Sequence, residues 1–217
     1  GANSTQEAID LTKEAKRLGA DACLLVTPYY NKPNQTGLFQ HFSKVANEVA
    51  IDQILYNVPS RTGCDLKNDT VLKLSKITNI VGIKDATGDL TRGIDLIKRL
   101  PPHFSVLSGD DATALSLMLL GGKGVISVTA NVRPDLMHSI CDNMLNQRYE
   151  EAKKINKKLE SLHSAMFLES NPIPVKWLLS YLGKINSKIR LPLVTLDEKY
   201  HQKIIREGLD LMYKEIG

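Results

Sequence analysis

Residues 54–63 (ILYNVPSRTG) and residues 80–88 (IVGIKDATG) decide the fold class of this chain. Each stretch begins as a short apolar run and ends in residues that can do chemistry, Tyr56 and Arg61 in the first and Lys84 in the second. Helical patterns separate such runs, and strands connected in this way pair in parallel and are covered on both faces. The two stretches predict an α/β fold with these side chains where an α/β barrel has its active site.

A lysine at the end of a buried strand is costly, because an ammonium group in an apolar environment must find a partner or lose its proton. A lowered pKa would leave Lys84 as a neutral amine, the nucleophile that Schiff-base chemistry requires. The ordinary alternative is a lysine whose side chain extends from the strand end into solvent. Tyr56 has a similar alternative, as a strand residue that fills the interior of a barrel.

The rest of the chain predicts strands that alternate with helices. Ser4 and Glu7 form the pattern of a capping box, which begins a helix that stops at Gly19. Apolar runs predict strands over residues 22–26, 53–58, 80–84, 105–107 and 125–128. Helical patterns lie between them over 37–49, 68–77, 90–100 and 110–120. After the last strand only helices are predicted, over 134–145, 149–167, 173–182 and 196–214.

Residues 56–63 and 82–88 closely resemble the signatures of the dihydrodipicolinate synthase and N-acetylneuraminate lyase family, which consists of class I aldolase-type barrels. Further stretches resemble the same family in the same order, namely 26–31 (VTPYYN), 107–111 (LSGDD), 124–131 (GVISVTAN) and 171–176 (NPIPVK). Arg61 and the last of these stretches are more similar to the dihydrodipicolinate synthase branch than to the sialic acid lyases.

The resemblance implies a (β/α)₈ TIM barrel with a helical C-terminal extension, although only five strands are predicted here. Residues 1–3 resemble the loop after the third strand of the family, so we expect the first three strands to be absent from this chain. We therefore predict a partial barrel over residues 1–145 and a helical extension over residues 146–217. Open edges of such a sheet would favour pairing with another chain.

The family's chemistry implies roles for three residues. Lys84 would condense with pyruvate to form an imine and then an enamine, which attacks aspartate-semialdehyde. Cyclisation gives 4-hydroxytetrahydrodipicolinate, on the diaminopimelate route to lysine. Tyr56 matches the proton-relay tyrosine of the family. Tyr30 matches a tyrosine that joins the relay of a neighbouring subunit, so the resemblance implies a homo-oligomer, in the family a tetramer built as a dimer of dimers.

The resemblance also implies residues that bind substrates and an inhibitor. Arg61 matches the residue that holds the carboxylate of the second substrate, which suits a planar guanidinium. Gly109 and Ile126 match positions whose backbone groups line the pyruvate pocket. Each of the three residues also has an ordinary interpretation: Arg61 as a surface arginine, Gly109 as a turn glycine and Ile126 as a core residue. Three further residues match the site of the feedback inhibitor lysine: Asn3, Glu7 and Tyr29.

Length and composition indicate a globular chain that needs no disulfide or metal to fold, with 217 residues and 42% hydrophobic content. Scattered cysteines without a Cys-x-x-Cys spacing suggest free thiols in a reducing compartment, so we expect a cytoplasmic protein: Cys23, Cys64 and Cys141. No apolar run is long enough to cross a bilayer, and no signal-peptide pattern occurs. We therefore expect no membrane association.

The charge pattern argues against nucleic-acid binding. The net charge of +4 is modest, and the densest basic cluster shares a helical pattern with glutamates, which is typical of a solvated face. A basic stripe with interleaved aromatic residues is missing. No dinucleotide or phosphate-binding motif occurs, and the histidines lack metal-ligand spacing, so neither a metal nor an organic cofactor is expected: His41, His103, His138, His163 and His201.

Two alternatives to the synthase interpretation stay open at this point. One is a sister aldolase that acts on a sialic acid or another keto-sugar acid, which Arg61 disfavours. The other is a shortened chain without catalysis, which serves as an assembly partner. The expected absence of the first strands favours the second alternative. A threonine that the family's relay takes from a Gly-Thr-Thr-Gly motif also has no assignable counterpart here, which argues against catalysis.

Overall fold

The structure is a computed structural model that describes residues 1–213, and the chain divides into two compact units, Gly1–Ile126 and Ser127–Gly217. The first unit contains one parallel sheet in which each strand pairs with the next one along the chain, in the order β1-β2-β3-β4-β5. The strands are β1 (Ala22–Val26), β2 (Asp52–Asn57), β3 (Ile80–Asp85), β4 (Ser105–Ser108) and β5 (Gly124–Val125). This order brings all carboxyl ends to one edge.

The helices of the first unit lie before β1 and between successive strands. Polar residues begin four of them, because the side chains of Ser4, Asn34, Asp89 and Asp110 each accept a hydrogen bond from the backbone N–H three residues later. The helices are α1 (Thr5–Arg17), α2 (Gln35–Glu48), α3 (Pro59–Thr62), α4 (Asn68–Leu74), α5 (Leu90–Arg99) and α6 (Asp111–Leu119).

The core of the first unit lies between the sheet and these helices. Leu25, Leu55 and Ile83 are neighbours in the register of three strands, and all are buried. They pack within one hydrophobic cluster that includes Leu38 and Phe42 of α2. Burial of each such side chain contributes about 1.5–3 kcal/mol. Because side chains alternate along a strand, the residues that follow Leu55 and Ile83, which are Tyr56 and Lys84, face the other side of the sheet.

The second unit is helical. It contains a 3₁₀ turn at Thr129–Asn131, then α7 (Pro134–Leu145), α8 (Tyr149–Ala165), α9 (Ile173–Tyr181), a second 3₁₀ turn at Glu198–Tyr200 and α10 (His201–Tyr213). Leu159, Leu162 and Met166 form part of its buried interior. The ring of Trp177 stacks on His201 with 4.2 Å between centroids, which attaches the start of α10 to α9.

The structure confirms the α/β class with a parallel sheet. β5 is shorter than predicted, since it ends at Val125 and the Ser127 hydroxyl accepts a hydrogen bond from the Ala130 N–H as the chain turns. The short helix α3 was not predicted, although Pro59 at its first position is typical of a helix start. The predicted last helix begins later, at His201, and its predicted end, Lys214, lies outside the described residues.

The compact units divide after Ile126, whereas the sequence predicts a division after residue 145. α7 groups with the C-terminal helices because it packs against α8. A partial barrel over 1–145 with a helical extension over 146–217 stays a prediction. Of the described helices, none combines the length and the apolar character needed to cross a membrane.

Candidate active site

The structure brings Tyr56 and Lys84 together on neighbouring strands. They are register partners in the β2–β3 pairing, one residue before each strand ends. Lys84 Nζ lies 4.2 Å from the centroid of the Tyr56 ring. An ammonium group at this distance over an aromatic face gains a cation–π attraction, and a neutral amine can approach the phenol equally closely. The two residues singled out by the sequence therefore share one site.

The environment of Lys84 favours its neutral form. Burial lowers the pKa of the Lys84 amine, and the positive charge of Arg61 lowers it further. The carboxylate of Asp111 opposes them by raising this pKa, but the net shift is downward. A larger fraction of Lys84 is consequently neutral near pH 7 than for an exposed lysine, which is the state needed for nucleophilic attack on a carbonyl carbon.

Tyr56 experiences the opposite effect. Burial raises the pKa of its phenol, and the positive charge of Arg61 only partly offsets this. The phenol therefore keeps its proton at neutral pH and can donate it. A protonated phenol beside a neutral amine is an arrangement suited to proton transfer during imine formation.

Gly109 is required where it lies because the chain passes very close to Lys84. A Cβ atom at this position would lie 2.9 Å from Lys84 Cε and 2.6 Å from Ala86 Cβ. The Gly109 N–H donates to the Asp85 carbonyl at 2.7 Å, which holds the loop after β4 against the end of β3. Ile126 lies beside the same loop, since its N–H donates to the Ser108 carbonyl at 2.9 Å.

Arg61 and Tyr30 lie near the same edge of the sheet. Arg61 is an exposed residue in the last turn of α3, and its charge acts on both Tyr56 and Lys84. The Tyr30 N–H donates to the Thr62 carbonyl of the same helix at 3.3 Å. The Tyr30 side chain is 87% exposed and its backbone has a φ of 72°. The side chain of Tyr30 therefore extends away from the described surface.

The three residues matched to a lysine site lie around the start of α1. Asn3 Nδ2 donates to the Tyr29 carbonyl at 3.2 Å, and Asn31 Nδ2 donates to the Asn3 carbonyl at 2.9 Å. The Glu7 N–H donates to Ser4 Oγ, and the Glu7 side chain is exposed. These contacts bring Asn3 and Tyr29 together, with Glu7 one helical turn further along α1.

Asp111 is a functional candidate that the sequence analysis missed. It is the first residue of α6 and only 2% exposed, and its charge acts on Lys84. The sequence contained a signal, because a second acidic residue after Asp110 follows directly on a strand end and the Gly109 turn. Asp110 fills the helix-capping role, since its carboxylate accepts from the Thr113 N–H at 3.0 Å. The carboxylate that acts on Lys84 is therefore that of Asp111 rather than that of the capping residue.

Metal ligands do not cluster in the part of the chain that the structure describes: residues 1–213 contain no group of three or more His, Cys, Asp or Glu side chains arranged to hold an ion.

Comparison with known proteins identifies a family. The Dihydrodipicolinate synthetase family matches residues 1–207. A curated relative from Cellvibrio japonicus (strain Ueda107), named 4-hydroxy-tetrahydrodipicolinate synthase, is 60% identical over 204 residues, which are 94% of this chain and 70% of the relative. The chain therefore spans somewhat more than two thirds of that relative's length.

Solved structures with the same fold include two with bound ligands. The chloride-inhibited dihydrodipicolinate synthase from Acinetobacter baumannii, complexed with pyruvate, is 56% identical with a TM-score of 0.95, covering 97% of this chain and 72% of that chain. The enzyme from Cyanidioschyzon merolae with lysine bound is 37% identical with a TM-score of 0.93, covering 96% and 71%. From the match over residues 1–207 and these identities, the chain belongs to the dihydrodipicolinate synthetase family.

Proposed function

We propose that this chain acts as a 4-hydroxy-tetrahydrodipicolinate synthase, a lyase that condenses pyruvate with aspartate-semialdehyde through an imine on Lys84. The observation that carries the proposal is the pair of register partners Lys84 and Tyr56, with the amine 4.2 Å from the ring and its pKa lowered by burial. Membership of the family supports the same reaction. The structure and the comparisons add no observation in favour of the sialic acid aldolase or of the non-catalytic chain.

Lys84 and Tyr56 divide the first steps between them. The neutral amine of Lys84 attacks the keto carbon of pyruvate, and the resulting carbinolamine loses its hydroxyl as water to form the imine. Tyr56 donates the proton that this leaving hydroxyl needs, and its phenolate then accepts a proton from the pyruvate methyl group, which yields the enamine. The enamine carbon attacks the aldehyde carbon of the second substrate, and a new carbon–carbon bond forms.

Arg61 is the proposed anchor for the carboxylate of aspartate-semialdehyde. Its guanidinium lies at the exposed rim of the site and can bind a carboxylate with two parallel hydrogen bonds. The same charge lowers the pKa of Lys84 and of Tyr56. A bound carboxylate would neutralise this influence, so substrate binding and the protonation of both catalytic groups are coupled.

Pyruvate itself is proposed to lie against Gly109 and Ile126. The close approach of Gly109 to Lys84 Cε leaves backbone rather than side chain beside the amine. Backbone groups near a reacting carbon can bind a carboxylate without excluding it sterically. The Ile126 N–H donates to the carbonyl of Ser108, the residue before Gly109, and this bond holds Ile126 close to Gly109.

Assembly and regulation are also proposals. The strongly exposed Tyr30 side chain would complete the proton relay of a second copy, so we propose a homo-oligomer, with the tetramer of the family as its form. The cluster of Asn3, Glu7 and Tyr29 is the proposed binding site for lysine, and the lysine-bound relative supports this idea. The free thiols of Cys23 and Cys64 support a cytoplasmic location.

The five strands are proposed to be consecutive strands of an eight-stranded barrel whose first three strands this chain lacks. Two observations support this proposal. The strands pair strictly in chain order, as barrel strands do, and this chain covers 72% of a solved relative with a TM-score of 0.95. In this proposal β1 and β5 are the two edge strands of the sheet, and the remaining barrel strands would pair with them.

Trapping of the imine tests the proposed function. The chain is incubated with pyruvate and borohydride, and intact-mass spectrometry followed by peptide mapping locates the adduct. We expect one adduct on Lys84, its loss in Lys84→Met and its retention in Lys73→Met, which removes an exposed lysine from α4. A folded protein that forms no adduct, or one that forms it elsewhere, would overturn the proposal.

A further inference from the structure

Behind Tyr56 and Lys84 lies a buried network of polar side chains on the helix-facing side of β2 and β3. Asn57 and Asp85 directly follow the two catalytic residues, so they point to the opposite face of the sheet. They are themselves register partners, and both are buried. A buried carboxylate is costly unless it is paired and hydrogen-bonded, so the partners of Asp85 determine whether this arrangement is stable.

Arg92, in the first turn of α5, is the centre of the network. Its Nε donates to Asp85 Oδ2 at 2.7 Å, its Nη1 donates to Asp65 Oδ1 at 2.9 Å, and its Nη2 donates to the Leu66 carbonyl. The Arg92 side chain is only 11% exposed. All three nitrogens of one rigid, planar group are engaged, so the guanidinium has a single possible orientation.

Asn57, at the end of β2, connects that strand to the network through residues 65–66. Its Nδ2 donates to Asp65 Oδ1 at 2.9 Å, and its Oδ1 accepts from the Leu66 N–H at 2.9 Å. The second oxygen of Asp85 accepts from the Thr87 N–H at 2.8 Å. A continuous set of bonds therefore runs from the end of β2 through residues 65–66 and Arg92 to the end of β3.

Asp65 stays ionised within this network. Burial acts to raise the pKa of Asp65, but hydrogen bonds from Lys67 and Asn57 and the charge of Arg92 outweigh it and lower the pKa. The Lys67 amine donates to Asp65 Oδ2 at 2.7 Å. The network therefore keeps its full set of charge-assisted bonds at neutral pH.

The pairing of β2 with β3 is irregular shortly before Tyr56 and Lys84. Gln53 pairs with Ile80, but the next residue, Ile54, pairs with Gly82, so the register shifts by one and Val81 is skipped. A slip of one residue turns every following side chain to the other face of a sheet. Tyr56 lies opposite Lys84 only in the shifted register, because without the shift its partner would be Ile83.

We propose that Arg92, together with Asp85 and Asp65, is a positioning residue for the imine-forming pair: it locks the register of β2 and β3 beyond the irregularity and so holds Tyr56 against Lys84. This inference rests on the proposed function. It assigns a role in the reaction to residues that lie on the far face of the sheet and contact no substrate.

A second arginine on the same helix provides a matched control. Arg99 also bridges two carboxylates, those of Asp69 at 2.5 Å and Asp95 at 3.0 Å. It is 41% exposed and lies at the other end of α5, away from the strand ends that carry the chemistry. Arg92 and Arg99 thus share residue type, helix and kind of partner, and differ in burial and location.

The test compares Arg92→Lys with Arg99→Lys by the rate of borohydride trapping with pyruvate across a range of pH. Lysine keeps the charge but cannot bind Asp85 and Asp65 together. We expect trapping by Arg92→Lys to slow by about 10- to 100-fold, because a displacement of about 1 Å at a reacting pair costs up to that much. Trapping by Arg99→Lys is expected to stay within about twofold of the unchanged chain.

The pH midpoint of trapping separates positioning from simple loss of folded protein. Partial unfolding lowers the amplitude but leaves the midpoint of the folded molecules in place, whereas displacement of Lys84 changes its environment and moves the midpoint. Asp85→Asn, which keeps the size of the side chain, is a second variant if Arg92→Lys does not fold, and the same shift is expected.

Two different outcomes would overturn the inference, and they are distinguishable. If Arg92→Lys and Asp85→Asn trap pyruvate at the rate and midpoint of Arg99→Lys, the network has no positioning role, although the proposed function stands. If the unchanged chain forms no adduct on Lys84, the proposed function itself fails, and the inference fails with it.

Discussion

The two ends of the parallel sheet bury opposite kinds of side chain. At the carboxyl end, successive strands finish in or next to buried polar residues, namely Thr27, Asn57, Asp85 and Ser108. At the amino end, the corresponding positions are buried and apolar, namely Ile51, Ile80 and Phe104. The same strands therefore build an edge of buried polar residues at one end and a largely hydrophobic closure at the other.

This difference indicates how the fold divides stability from function. Buried polar groups are costly without hydrogen-bond partners, so the carboxyl end depends on directed contacts such as the bond from Ser108 Oγ to the Asp110 carbonyl at 2.8 Å. The amino end depends on non-directional burial of apolar area. Changes at the amino end should therefore alter the free energy of unfolding, and changes at the carboxyl end should alter the reaction.

The largest expected effect on stability comes from the amino end. Phe104→Ala removes a buried ring just before β4, and we expect the free energy of unfolding in urea to fall by about 3–5 kcal/mol. Imine trapping per folded molecule should be unchanged. The exposed Phe167→Ala is the control and should alter stability by less than about 0.5 kcal/mol. A large loss of trapping in folded Phe104→Ala would break the comparison.

The converse change lies at the carboxyl end. Gly109→Ala places a Cβ 2.6 Å from Ala86 Cβ and 2.9 Å from Lys84 Cε, so the amine must move. We expect trapping to slow by about 100-fold, while overpacking lowers stability by only about 1–3 kcal/mol. Gly37→Ala, whose Cβ comes no closer than 3.3 Å to a neighbour, is the control. Equal trapping rates in the two variants would contradict the prediction.

A buried histidine in the helix layer tests whether polar burial away from the strand ends affects stability alone. His41 accepts from or donates to Thr5 Oγ1 through Nδ1 at 2.9 Å, and its Nε2 is buried without a hydrogen-bond partner among the described residues. Burial lowers the pKa of His41 from 6.5 to about 4. His41 therefore binds a proton below about pH 6.5 in the unfolded chain but only below about pH 4 in the folded chain.

We expect stability to fall as the pH decreases through this window, by about 2 kcal/mol between pH 7 and pH 4.5. Urea unfolding at both pH values measures the loss. His41→Gln should lack that part of the loss, whereas His103→Gln, which removes an exposed histidine, should retain it. A pH dependence that is identical in all three proteins would show that His41 contributes nothing.

The smallest expected effect concerns electrostatics inside the site. The carboxylate of Asp111 raises the pKa of Lys84, so Asp111→Asn should lower that pKa, and the neutral amine should form at a lower pH. We expect the midpoint of pyruvate trapping to move to a lower pH. Asp110→Asn is the matched control, because asparagine still caps α6. A midpoint that moves upward, or equally in both variants, would contradict this assignment.

Much of the helical and strand order was predictable because its signals are local. Ser4 and the Glu7 N–H are three residues apart, and their bond begins α1 where the capping pattern predicts it. β1 and α7 have the predicted bounds, since an apolar run and a helix-starting proline are each visible within a few residues. The short β5 was less predictable, because the apolar run continues beyond Val125 while the chain already turns.

The sequence by itself determined the α/β class and the family, and it identified Lys84 and Tyr56 as candidates, because each depends on residue type and on short spacings. Only the tertiary structure decided which residues distant in the chain meet at the strand ends. Asp65 and Arg92 meet across 27 positions of the chain, and Asp111 reaches Lys84 from a different strand end. Such contacts depend on strand register, which shifts by one residue between Gln53 and Ile54, and a register is set by the packing of the whole sheet rather than by any local stretch.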